Sequence, residues 1–223
     1  MPFPSSPART GPPTMTHFLS PRPGSWRLPF GAGLSALLVT LAVAAPALAH
    51  HLMDLTRMAP SPLTGFLSGL AHPILGPDHL LFLCALSLVG LRQRAPWLMA
   101  LLASALAGSV AGLLLPGLPL AEAAVALTLV LVGLIWFQRW PKGLLLPAIA
   151  LHGYVLSAAV IGWSQGPLAF YGLGLLLSQG TLLLLAFTLL RSLADRLSPQ
   201  RRAFIGAALV GCGAAWTWSA LVS

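Results

Sequence analysis

The sequence predicts an all-α membrane protein: a six-helix transmembrane bundle after a cleaved N-terminal signal peptide, with the first span broken near Pro73–Pro77. Three observations carry this prediction. Of the 223 residues, 57% are hydrophobic and only 7% are charged, and the mean hydropathy is +0.86. A soluble domain carries about 25% charged residues, so this composition does not build a water-facing surface. Several apolar stretches reach the ~20 residues that cross a bilayer. The basic residues cluster in short segments between those stretches, as the positive-inside rule requires. That clustering also accounts for the net charge of +8 without nucleic acid as a partner, because no Arg/Lys stripe with interleaved aromatics is present.

Residues 1–29 are rich in Pro, Ser and Arg, with Arg9, Arg22 and Arg27 but no acid. An apolar run follows from Phe30 to Leu48 and ends Ala47-Leu48-Ala49 before His50. A basic lead, a short apolar core and a small-x-small ending mark residues 1–49 as a secretory signal peptide, leaving 50–223 as a single polytopic membrane domain. The lead is long, and Met15 is an alternative start. An uncleaved first span is the other reading of the same run. Cleavage after Ala49 exposes His50-His51-Leu52-Met53-Asp54. A free amine, two imidazoles and a nearby carboxylate suit a borderline divalent ion; the plain alternative is two flexible polar residues ahead of a span.

Six apolar segments follow, at approximately 63–91, 95–115, 119–138, 143–163, 167–190 and 203–222. Their linkers are short, so neighbouring helices run antiparallel in one bundle. The first segment is too long for one simple span at ~1.5 Å per residue, which leaves room for a break at Pro73–Pro77. Alternate linkers carry Arg92 and Arg94, then Arg139 and Lys142, then Arg191, Arg196, Arg201 and Arg202. The opposite linkers, Pro116-Gly117-Leu118-Pro119 and Trp163-Ser164-Gln165-Gly166, carry no charge. This asymmetry predicts a multi-pass protein of a bacterial-type inner membrane whose mature termini both lie on the outer side. Trp163, Trp216 and Trp218 can anchor the interface. The lipid bilayer is thus one expected partner.

Ionisable groups at bilayer depth are costly and mark a pathway or a site. Here they are His72, Asp78 and His79 in the first span and His152 in the fourth. Glu122 lies about three residues into the third. On a regular helix His72 and His79 share a face while Asp78 points ~120° away, but the Pro-Gly-Pro interruption removes that regularity. With Pro77 in the first turn of the continuing helix, Asp78 sits where an acid suits the unpaired backbone N–H groups. Depth counting pairs His72 with His152 near the midplane; His79 joins them only if the break shifts the register. Imidazole nitrogen with carboxylate oxygen suits Ni²⁺, Co²⁺ or Zn²⁺ and not Mg²⁺ or Ca²⁺. Buried histidines that merely hold helices together are the structural alternative. Cys84 and Cys212 lie in apolar runs with no paired-cysteine pattern, so neither a disulfide nor a thiolate site is expected.

At these residues the sequence resembles the HupE/UreJ family, the hydrogenase/urease accessory nickel permeases. The likeness begins at His50-His51-Leu52-Met53, runs through Gly65-Phe66-Leu67-Ser68-Gly69-Leu70-Ala71-His72-Pro73, and includes a His-x5-Asp-His signature at His72, Asp78 and His79. A second block is Leu151-His152-Gly153-Tyr154, with Pro167, Tyr171 and Gly174 to Gln179. Glu122 falls where the family tends to carry a glutamate. The resemblance implies a secondary permease, not an enzyme, that takes up Ni²⁺ or Co²⁺ as a transported ion with no tightly bound cofactor. It supplies nickel enzymes such as hydrogenase or urease, with soluble metal-enzyme maturation proteins as further partners. It also implies that His72, Asp78 and His79 handle the metal; His152, His50, His51 and Glu122 complete the expected set. Where many relatives have carboxylates after the His-Gly, this chain has Ala158 and, near the next turn, Ser164 and Gln165. Three competing readings are a haem electron carrier using His72 and His152, a hydrolase with a metal-bound water and a non-transporting accessory membrane protein.

Overall fold

Between proline- and glycine-bearing turns the chain is filled with apolar residues and has no alternating pattern. In the computed structural model, all regular structure among the described residues is helical. The structure describes residues 59–89, 91, 94–138 and 140–222. The expected signal peptide (1–49), His50, His51, Arg92 and Arg139 lie outside them. Helix α1 is Pro62–Leu75 and α2 is Pro77–Leu86, closed by a 3-10 turn at Ser87–Val89. Helix α3 is Arg94–Leu114 and α4 is Ala121–Gln138. Helix α5, Leu145–Leu156, lies between 3-10 turns at Lys142–Leu144 and Ser157–Val160. Helix α6 is Gln165–Leu185 and passes through a π turn, Ala186–Leu190, into the short α7, Arg191–Asp195. Helix α8 is Pro199–Val222.

Helix α1 starts where Ser61 and Thr64 form a capping box: Thr64 N–H donates to Ser61 Oγ at 3.2 Å and Ser61 N–H to Thr64 Oγ1 at 2.8 Å. Pro62 at the first position needs no N–H partner there. The helix ends at Gly76 because Pro77 has no N–H to continue the ladder and biases its predecessor towards extended backbone. Gly76 is extended, and α2 leaves at 72° to α1. The break predicted near Pro73–Pro77 thus falls at Gly76, while Pro73 is accommodated within α1.

Four helical stretches are long and apolar enough to cross a membrane: Ala95–Leu114, Lys142–Val160, Gln165–Asp195 and Pro199–Val222. The bent pair α1–α2 makes a fifth if it is one span, and Ala121–Phe137 is apolar but shorter. Two boundaries differ from the sequence expectation. The fifth segment runs to Asp195 rather than 190, and the last begins at Pro199 rather than 203. Between Gly180 and Pro199 the chain has no Pro or Gly, and Arg side chains are good helix formers. Arg191 Nη1 donates to the Leu91 carbonyl and Arg202 Nη2 to the Asp195 carbonyl at 3.2 Å.

The helices pack chiefly as three pairs, α1 with α6, α3 with α5 and α4 with α8. Small residues let backbones approach at such crossings. On α1, Gly65-x3-Gly69 meets α6, where a Cβ added at Gly69 would collide with the Tyr171 carbonyl oxygen. On α3, Gly108-x3-Gly112 faces α5 in the same way. Helix α2 packs against α4 and α6, and of its first turn His79 is buried. Phe82, Leu86, Leu101, Leu129, Leu145, Ile149 and Leu183 form the dry centre. Outward, large apolar side chains are bare, with Leu114 74% and Met99 65% exposed. That surface suits hydrocarbon rather than water.

Candidate metal site

The break between α1 and α2 brings the ionisable groups together. His72 is in the last turn of α1, Asp78 and His79 are in the first turn of α2, and His152 is in the middle of α5. All three histidines are at most 3% exposed. The His79 and His152 rings meet edge to face with centroids 4.7 Å apart, and His72 and His79 are separated by 6.5 Å. Phe82, one turn beyond His79, stacks on His152 at 4.0 Å. Depth counting alone expects His72 and His152 to be the pair that meets. Instead His79 is the residue that contacts His152, because the 72° bend turns α2 into the bundle.

Each ring is held by an oxygen that can only accept. Asp78 Oδ1 lies 2.9 Å from His79 Nδ1, and a carboxylate accepts, so Nδ1 carries the proton. Tyr171 donates its hydroxyl proton to the Leu156 carbonyl, so the Tyr171 oxygen accepts from His72 Nδ1 at 2.9 Å. Thr128 donates its proton to the Val125 carbonyl at 2.6 Å and accepts from His152 Nε2 at 2.8 Å. The basic nitrogens are therefore His72 Nε2, His79 Nε2 and His152 Nδ1, and all three are buried. A ligating histidine is ordinarily held this way, with its other N–H on an acceptor that fixes tautomer and orientation. Thr128 is a residue that the sequence does not single out, and Tyr171 stands there only within the second family block, with no role of its own. Thr128 was detectable as the one hydroxyl in α4.

Two imidazoles on one ion, each nitrogen about 2 Å from it, place their ring centroids no more than about 6.5 Å apart. His79 with His152 is inside that limit and His72 with His79 is at it. Among the described residues, no group of three or more His, Cys, Asp or Glu side chains is placed to hold a metal ion as it stands. Neither Cys84 nor Cys212 is in a disulfide.

Glu122 is in the first turn of α4, six residues before Thr128 and hence ~9 Å along the axis. It lines a pocket of about 370 Å³ with Leu118, Tyr154, Ala158 and Ala220, and none of the three histidines lines that pocket. The structure thus places Glu122 beside the cluster rather than in it. A haem between His72 and His152 finds its space filled: Phe82 covers a face of His152 and His79 packs against its ring.

The family model described as HupE / UreJ protein matches residues 37–216. No curated protein and no solved structure matches the chain significantly.

Proposed function

This chain belongs to the HupE / UreJ family, and from that premise we propose that it is a secondary membrane permease for Ni²⁺, with Co²⁺ as the second candidate ion. The family is associated with nickel or cobalt transport or with accessory roles for hydrogenase and urease. One observation carries the choice of transport: three buried histidines with oriented tautomers and one carboxylate meet where a membrane-depth helix is broken. Irregular backbone at such depth is tolerated only where it is buried in protein or lines a cavity. The donor set, imidazole nitrogen with one carboxylate, suits a late divalent transition ion.

In this reading the six helical segments cross an inner membrane with both mature termini outside. His50 and His51 capture the ion, Glu122 marks its approach through the outer pocket, and His152, His79 and Asp78 receive it. His72 closes on the ion last, since its ring is farthest from meeting the others. A weakly charged, incompletely preformed set holds an ion loosely enough to release it. The ion is cargo for nickel enzymes.

The test is metal accumulation in a nickel-transport-deficient host that expresses the full chain, comparing Ni²⁺, Co²⁺ and Zn²⁺. Ni²⁺ accumulation should rise with expression and fall to the empty-host level in the His72→Ala, His79→Ala double variant. Wild-type uptake by that double variant, inserted at equal level, would sink the proposed site.

A further inference from the structure

We infer that Thr128 and Tyr171 are positioning residues of the site, each taking up one imidazole N–H so that a chosen nitrogen of His152 and of His72 faces an incoming ion. The inference rests on the permease reading for its ion but on hydrogen-bond logic for its geometry. Neither hydroxyl has a proton to offer a histidine. Thr128 Oγ1 sits 2.6 Å from the Val125 carbonyl of its own helix, and Tyr171 Oη donates across the bundle to Leu156 at the end of α5. Carbonyl oxygens accept only, so both hydroxyl oxygens present lone pairs to the imidazoles. If His152 adopted the other tautomer, two lone pairs would face each other at the 2.8 Å that now holds a hydrogen bond. A buried group forced into that state loses its bond and keeps its desolvation cost.

The two hydroxyls act on opposite nitrogens. Tyr171 takes Nδ1 of His72 and Thr128 takes Nε2 of His152. His152 therefore offers Nδ1, an atom with no hydrogen-bond partner among the described residues. The three histidines also differ in their partners: His79 is held by the carboxylate of Asp78, while His72 and His152 are held by hydroxyl oxygens. The hydroxyls tie four helices to the site: Thr128 joins α4 to α5, and Tyr171 joins α6 to α1 and α5.

The test uses the full chain, purified in detergent with ¹⁵N-labelled histidine. Two-bond nitrogen–proton correlations give each ring's tautomer, and Ni²⁺ titration gives affinity. Wild-type protein should show His72 and His79 protonated at Nδ1 and His152 at Nε2. Thr128→Val, of the same shape without the oxygen, should mix the His152 tautomers and weaken Ni²⁺ binding roughly 10- to 100-fold. Thr128→Ser should restore both. Tyr171→Phe should do to His72 what Thr128→Val does to His152. Unchanged tautomers, or unchanged Ni²⁺ affinity, in Thr128→Val and Tyr171→Phe overturns the inference. If Tyr171→Phe does not fold, the Thr128→Val and Thr128→Ser pair decides alone. Should wild-type protein bind no Ni²⁺ yet show the stated tautomers and their response to the variants, the positioning stands and the nickel reading falls.

Discussion

Asp78 accepts the Nδ1–H of His79 at 2.9 Å and brings the one carboxylate to the edge of the three imidazoles. These two contributions separate on substitution. In Asp78→Asn the amide oxygen still accepts from His79, so the tautomer survives and only the charge is lost. In Asp78→Ala both are lost. If the charge offsets that of a divalent ion, Asp78→Asn should lower Ni²⁺ uptake at least roughly 10-fold, and Asp78→Ala should lower it further. Uptake by Asp78→Asn equal to wild type would show that the charge is not used. The sequence exposed His72, Asp78, His79 and His152 because ionisable groups are rare in apolar runs. It could not show which rings touch, nor which nitrogen each presents. Those depend on a hydroxyl 24 residues from His152 and another 99 residues from His72, side chains that pass for ordinary helix residues in the sequence.

At the scale of helices, the break between α1 and α2 was legible and its packing was not. Pro77 and Gly76 announce an interruption, but the 72° turn is set by what α2 lies against, namely α4 and α6. The Gly65-x3-Gly69 spacing suits a close helix crossing, but the sequence does not say which helix is the partner. That crossing also serves the site, because Gly69 touches the backbone of Tyr171, whose hydroxyl holds His72. A Gly→Ala change in a helix normally stabilises by about 1 kcal/mol. At Gly172, with open space around it on the same helix as Tyr171, Ala should be neutral or stabilising. At Gly69 a Cβ meets the Tyr171 carbonyl oxygen, so the helices must separate, at a cost of about 1–3 kcal/mol. Gly69→Ala should therefore lower the thermal midpoint in detergent and reduce uptake, while Gly172→Ala lowers neither. Equal midpoints for the two variants would show that α1 and α6 do not cross as described.

The whole molecule has two chemically different ends, and their difference predicts how it sits in a membrane. At one end Tyr154 accepts from the Leu118 N–H at 2.9 Å and donates to the Leu115 carbonyl at 2.6 Å, fastening the loop between α3 and α4 to the end of α5. The pocket there includes Ala158 and, near the C-terminus, Ala220, so the chain's last turn shares this end. The linkers at this end, 116–119 and 163–166, carry no charge. At the other end Arg191 is bound to the Leu91 carbonyl and Arg202 to the Asp195 carbonyl. Positive residues are retained on the cytoplasmic side, so the Tyr154 end, with the Glu122 pocket, should face outward. An alkaline phosphatase fused after Ser223 should then be active, because it folds only outside the cytoplasm, and a green fluorescent protein fused there should stay dark. A cysteine placed at Leu118, with Cys84 and Cys212 replaced by Ala, should react with a membrane-impermeant maleimide in intact cells, whereas one placed at Ser198 should not. A bright C-terminal fluorescent fusion with labelling at Ser198 would invert the molecule. The Glu122 pocket would then open to the cytoplasm, and an uptake route beginning there would be lost.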